Sequence, residues 1–191
     1  MLKDLIRTSR SYRSFDPNAP IARELLWDWV DCARLSPSSV NLQMLKFRLV
    51  TDAIERENVL QNTRWAGKLK DLTLPPKGHT PTAYIVICAD KLVSKAADQF
   101  QKDVGICAQS IMLAAAESGF GGCMIGSFSA EKLCEDLSLP SHLLPQLVLA
   151  LGKPDERVCL VDPDENGDVT YYRENGVHYV PKRKLKDLII E

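Results

Sequence analysis

Two largely apolar runs, Tyr84–Ala89 (YIVICA) and Gln146–Leu151 (QLVLAL), constrain this chain most, because each reads as a strand buried in a core. Between them lies the longest helix candidate, Ser94–Ser118. Val104, Ala108, Ile111, Met112 and Ala115 form its apolar stripe, Ala114–Ala116 permit close backbone approach, and Gly119 is a natural stop. A core built from such pieces needs both helices and strands.

The remaining elements are placed by period and by punctuation. Leu2, Leu5 and Ile6 share a face of a short first helix. Arg10–Phe15 is a connector rich in hydrogen-bonding groups. Pro20 precedes a helix carrying Leu25, Leu26, Trp29, Val30 and Ala33, which Ser36–Ser39 breaks. Lys46–Thr51 reads as a strand, and Asp52 caps a helix to Asn62. Residues 63–80 form a polar loop punctuated by Pro and Gly. Cys123–Phe128 is a strand, and Ser129 caps a short helix to Leu137. Asn166-Gly167 marks a turn before a strand at Val169–Tyr172, and Pro181 opens a last helix to Ile190. Strands and helices do not alternate regularly, so the class is α+β. The 191 residues suit one domain, 1–191.

Several function classes fall away. No GxGxxG follows a strand and no GxxxxGK[ST] occurs, so the phosphate loops of Rossmann and P-loop proteins are missing. With 24 basic and 25 acidic residues, the net charge of -1 demands neither nucleic acid nor an anionic membrane as partner. No apolar stretch reaches membrane-spanning length. The six cysteines form no CxxC pair and have no histidine at ligand spacing, so no metal site is expected. Buried free thiols in a reducing, cytoplasmic setting explain them.

Four segments carry candidate chemistry. Arg10-Ser11-Tyr12-Arg13-Ser14-Phe15 sets two guanidinium groups three residues apart among hydroxyls, a donor set suited to a phosphate monoester. Ser36–Gln43 is a polar loop. Its Asn41 and Gln43 amides offer donors and acceptors side by side. Gly119–Gly126 holds four glycines in eight residues, which lets backbone amides approach a flat ligand. Lys182-Arg183 follow Pro181 at the expected helix start, where free N–H groups favour anions. The structural alternatives are surface charge, a helix-ending turn, tight packing and a solvated helix start, respectively.

In this order the segments resemble the FMN-dependent nitroreductase family. The resemblance rests on Ser9–Phe15, on Ala33 through Pro37-Ser38-Ser39-Val40-Asn41-Leu42-Gln43, on Asp103–Gln109 running into Gly119-Phe120-Gly121, on Gly152-Lys153-Pro154, and on Val180–Arg183. Ser9 stands where many members carry an extra arginine, and Met44-Leu45-Lys46 where members often have Pro-Trp. The resemblance implies a central mixed or antiparallel sheet flanked by helices, in an intertwined homodimer with FMN at the interface. Arg10, Ser11, Arg13, Lys182 and Arg183 would hold phosphate and ribityl oxygens. Ser38, Ser39, Asn41 and Gln43 would face the ring, from the other subunit. Gly121, Gly122, Ile125 and Gly126 would back it, and Asn62 would meet its polar edge. Trp65 and Phe120 would shape a substrate channel, with core packing the alternative for both.

The implied activity is NADH- or NADPH-dependent oxidoreduction. Electrons would pass through flavin N5 to a nitroaromatic, a quinone or a similar small acceptor by a ping-pong cycle, with no catalytic side chain. His79, His142 and His178 fall in loop-like segments and are assigned no role. The rival readings are a flavin-binding protein without turnover and a cofactor-free dimeric interaction module.

Overall fold

The computed structural model describes residues 1–69, 71–96 and 100–190. In chain order the elements are α1 (Leu2–Thr8), α2 (Arg23–Arg34), β1 (Leu45–Val50), α3 (Ala53–Asn62), β2 (Ala83–Asp90), α4 (Gln101–Glu117), β3 (Gly121–Ile125), α5 (Ala130–Asp136), β4 (Leu143–Gly152), β5 (Arg157–Val161), β6 (Tyr172–Glu174) and β7 (Val177–Pro181).

Every residue of β2 is buried. Its side chains alternate across the sheet: Ala83, Ile85 and Ile87 enter one core, and Tyr84, Val86 and Cys88 the other. Such a strand needs cover on both faces. Leu26, Trp29 and Ala33 of α2, with Val104, Ala108, Ile111 and Ala115 of α4, supply one side. Val59 of α3 and Leu133 of α5 supply the other. The sheet order is β1-β2-β4-β3, antiparallel at every pairing. No helix among the described residues is long and apolar enough to cross a membrane.

A second, three-stranded sheet has the order β5-β7-β6, with β5 and β7 parallel. Tyr172 stacks on Tyr179 across it, with ring centroids 5.0 Å apart.

The sequence expectations hold best where the signal is local. Asp52 accepts hydrogen bonds from Ile54 N–H and Glu55 N–H, capping α3 as read. Four expectations change. The long helix starts at Gln101, not Ser94. Asp90 Oδ1 instead accepts from Leu92 N–H and holds a turn, and residues 97–99 lie outside the described residues. The strand expected at Cys123–Phe128 begins and ends earlier, at Gly121–Ile125. The strand expected at Val169–Tyr172 lies at Tyr172–Glu174, because the Asp164 and Asp168 side chains draw the preceding N–H groups into turns. The helix expected from Pro181 is absent. Pro181 ends β7 opposite Val161, and only a single 3-10 turn follows, at Leu185–Asp187.

The connector after α1 is woven onto the main sheet. Ser11 bridges to Gly122, and Tyr12 N–H donates to Gly122 O (2.9 Å). Phe15 N–H donates to His79 O, and Asp16 N–H to Lys153 O. This close approach explains two glycines. A Cβ on Gly121 would stand 2.7 Å from the Tyr12 ring, and one on Gly122 would strike the Ala150 carbonyl oxygen. Gly126 has open space around it. Gly122→Ala is expected to lower unfolding stability by about 1–3 kcal/mol through overpacking, while Gly126→Ala stays within about 0.5 kcal/mol. Urea unfolding of both variants measures the contrast.

Candidate cofactor site

The predicted residues gather in separate groups. The first surrounds the connector. Arg10 is half-buried, and its Nη2 donates to Ile6 O (2.6 Å). Its Nε is buried with no partner, and burial lowers the pKa of the guanidinium. Ser11 is exposed beside Gly122. Arg13 is buried: Nη1 donates to Ser11 O (3.2 Å) and to His178 Nε2 (3.2 Å), and the guanidinium lies 5.2 Å from the Tyr171 ring centre. The side chain therefore ties the connector to β7.

Glu156 completes this node. It accepts from the backbone N–H groups of Arg13 and Ser14 and pairs with Arg173. His178, expected in a loop, lies in β7 and is 2% exposed. Burial first, then Arg13 and Arg173, push its pKa down to about 4, so the ring is neutral and its Nε2 accepts from Arg13. None of Glu156, Tyr171, Arg173 or His178 was anticipated as a cluster. The apolar neighbours of His178 in Val177–Val180 were the available signal.

Lys182 and Arg183 are exposed beyond β7. Lys182 N–H is bonded to Val161 O (2.8 Å), so no free helix N-terminus stands there, contrary to the sequence expectation. Lys182 and Arg7 instead line one open groove with Val158, Leu160 and Asp162.

The second group is the loop after α2. Val40, Asn41 and Gln43 all have positive φ (46°, 55° and 51°), a region costly for residues with a Cβ, above all for a branched one. Asp103, 2% exposed in the first turn of α4, holds the loop there: Oδ2 accepts from Ser39 N–H (2.9 Å) and Oδ1 from Ser39 Oγ (2.7 Å). Ser38 Oγ accepts from Gln43 N–H (3.2 Å). Asn41 and Gln43 remain exposed, with their amides 3.1 Å apart. A cavity of about 130 Å³ beneath the loop is lined by Ser38, Gln43, Met44, Phe47, Asp103 and Cys107, among others.

The two groups do not meet within one chain. Ser39 docks at Asp103, whereas Ser9 Oγ reaches Met112 O (3.5 Å), nine residues further along α4. Nine helical residues span about 14 Å.

The other predicted residues are engaged elsewhere. Asn62 Nδ2 donates to Asp136 Oδ2 (2.7 Å) and to Asn58 O, joining α3 to α5. Trp65 Nε1 donates to Thr63 Oγ1 (3.0 Å), and its ring packs on the second core. Phe120 packs on Trp29, with centroids 5.7 Å apart. Core packing, the alternative considered for Trp65 and Phe120, accounts for these contacts. Gly121 and Gly122 are buried, Ile125 belongs to the second core, and Gly126 is exposed.

Comparison with known proteins agrees with this architecture. A family model described as the nitroreductase family matches residues 6–153. A Methanothermobacter thermautotrophicus protein, provisionally named NADH dehydrogenase/NAD(P)H nitroreductase, is 29% identical over 168 residues, covering 84% of this chain and 83% of its own length. A Pseudomonas Cr(VI) reductase is 29% identical over 176 residues, covering 82% of this chain and 68% of its own. The structure of a Streptococcus pneumoniae nitroreductase family protein superposes with a TM-score of 0.72 at 16% identity, covering 100% of this chain and 99% of that one. The NADPH:FMN oxidoreductase of Vibrio harveyi, solved with NAD+, gives 0.64 at 27% identity, covering 81% and 69%.

Two outcomes are expected. Asp103→Ala should cost about 1.5–3 kcal/mol, since a buried carboxylate with two hydrogen bonds is lost, and should open the Val40 peptide to limited proteolysis. His178 has a pKa near 4 in the fold and 6.5 as its ordinary value, so in that window the proton binds only on unfolding. Its contribution to stability is complete above pH 6.5 and is lost as pH falls toward 4. Urea midpoints across this range should decline with acidity in the native chain and decline less in His178→Gln.

Proposed function

The chain belongs to the nitroreductase family, and on that premise we propose that it is an FMN-dependent oxidoreductase working as a homodimer. It takes electrons from NADH or NADPH and delivers them to a small acceptor such as a nitroaromatic or a quinone. The observation that carries this reading is the convergence of the two chain ends. Arg13 Nη1 meets His178 Nε2 at 3.2 Å, and Arg7 and Lys182 share one groove. These contacts support grouping the basic side chains of residues 7–13 and 182–183 around one ligand.

The residues present fit the cofactor. Arg10 presents a buried Nε with no partner, and among the described residues neither Arg10, Lys182 nor Arg183 lies within 4 Å of a carboxylate. These three, with the Ser11 hydroxyl, would hold the phosphate and the ribityl oxygens as charge-assisted donors. Arg13 would act with them mainly by fixing the connector, since its guanidinium is already committed to Ser11 O and His178. Gly126, with free space around it, and Ile125 would lie behind the ring, and Gly121 and Gly122 would continue that wall through their backbone.

Ser38, Ser39, Asn41 and Gln43 would face the ring from the second copy. Their separation by about 14 Å from the connector along α4 supports a contribution in trans. The exposed amides of Asn41 and Gln43 would read the polar edge of the ring, with Asn62 beside it. Ser39 would be held in place by Asp103. Phe120 and Trp65 would shape the acceptor channel through the packing that fixes α2, α4 and α3.

When bound, FMN supplies the two-electron relay at N5, in a ping-pong cycle between the nicotinamide donor and the acceptor. The protein supplies position and charge. Cationic groups and backbone N–H donors would stabilise negative charge gathered on the bound nucleotide. The 191 residues would form one FMN-binding domain.

The purified protein is expected to be yellow, to lose its visible absorption on anaerobic addition of NADH or NADPH, and to regain it with a quinone. A colourless protein that stays so with added FMN would overturn the reading. Arg10→Ala should weaken FMN binding roughly 10–100-fold, the loss of a charged hydrogen bond, with little change in the urea midpoint. Flavin fluorescence titration reads the difference. Arg13→Ala is the poorer probe, because it also frees His178 and Tyr171.

A further inference from the structure

A second polar cavity lies between α3 and the start of β2, outside the segments assigned to the flavin. Its volume is about 160 Å³, and Arg56, Glu57, Thr80 and Tyr84 line it together with Leu60 and Pro81. Tyr84 is 1% exposed, and its ring is part of the second core. The hydroxyl at its tip is buried with no hydrogen-bond partner. Arg56 spends Nη1 on Pro81 O (3.3 Å), but its Nε is likewise buried and unpartnered.

Arg56 feels the Asp52 carboxylate through space and has Glu57 beside it at the cavity, but it forms an ion pair with neither. Glu55 is paired with Arg48. Glu57, exposed at the rim, accepts from Gln61 Nε2 (2.9 Å). Among the described residues no carboxylate oxygen comes within 4 Å of Arg56. Burial pushes the Tyr84 phenol up, so at neutral pH it keeps its proton and can donate.

A buried hydroxyl without a partner, and a half-buried guanidinium whose Nε is unpartnered, are both costly. An acceptor-rich ligand relieves both at once, because guanidinium offers donors only and charge-assisted bonds to an oxyanion are the strong ones. The cavity has room for a small ligand. We propose that Arg56 and Tyr84, with Thr80 at the margin, form a binding site for a small oxyanion, a simple carboxylate or inorganic phosphate. Arg56 provides the charge, and Tyr84 donates to a second oxygen. Binding there clamps α3 to the start of β2.

Thermal unfolding of the full-length protein tests this, with sodium phosphate and sodium acetate titrated separately at ionic strength held constant by sodium chloride. The expected result is a midpoint that climbs by about 5–10 °C at hundredfold excess over the dissociation constant, with one or both anions. A response to acetate alone assigns a carboxylate, and a response to phosphate alone assigns phosphate. Arg56→Gln and Tyr84→Phe should each abolish the climb, while Arg10→Ala retains it. Should Tyr84→Phe not fold, Arg56→Gln carries the comparison. The proposal fails if neither anion acts, or if both variants respond as the native chain does. It also fails if the phosphate response vanishes only in Arg10→Ala, which would put the anion with the flavin phosphate groups instead. A crystal grown in phosphate or acetate with ordered water alone between Arg56 and Tyr84 would overturn it as well.

Discussion

A single carboxylate joins the two ends of this chain. Glu156 accepts from the backbone N–H groups of Arg13 and Ser14 and pairs with Arg173 of β6. A buried carboxylate is tolerated only when its oxygens are occupied and its charge is matched. Here the occupants come from opposite ends of the sequence, so satisfying Glu156 requires the N-terminal connector and the C-terminal sheet to be assembled together. Arg13 then reaches His178 and Tyr171, and the same contacts set where the chain beyond β7 emerges. This node adds to the backbone bonds that tie Asp16 to Lys153 and Lys182 to Val161, and so helps fix Lys182 relative to the connector.

Much of the main layer was legible in the sequence, because its signals are local. Tyr84–Ala89 marks β2 by an unbroken apolar run, and Asp52 marks α3 by its capping side chain. The C-terminal sheet was not legible. Its β5–β7 pairing is parallel and joins residues about twenty positions apart, so no hairpin turn announces it. Pro181 read as a helix start because proline suits that position. It is equally at home at the end of a strand, where its missing N–H is not needed, and Lys182 N–H is already bonded to Val161 O.

The candidate site divides in the same way. The polar break at Ser36–Gln43 and the basic connector stand out in sequence. What holds them does not. Asp103 meets Ser39 across 64 positions, and His178 meets Arg13 across 165. The glycines teach a related lesson. Composition alone could not separate an open wall for a ligand from close packing. The Tyr12 ring and the Ala150 carbonyl explain why Gly121 and Gly122 carry no side chain, and Gly126 has free space around it.

The strained loop after α2 shows how the two candidate segments differ in kind. Three residues with a Cβ hold positive φ there, and Val40 is 91% exposed, so nothing it buries repays its conformation. The strain is carried by Asp103, which occupies both hydrogen-bond donors of Ser39 and is itself locked into the first turn of α4. Asn41 and Gln43 are therefore presented at the surface with a defined backbone, at little further entropic cost to whatever they meet. The connector is the reverse: Arg10 and Arg13 are turned inward and partly buried. A surface-facing segment and an inward-facing one thus stand about 14 Å apart along one helix. In the proposed homodimer, one copy's loop would supply what its partner's connector lacks, without any movement inside either chain.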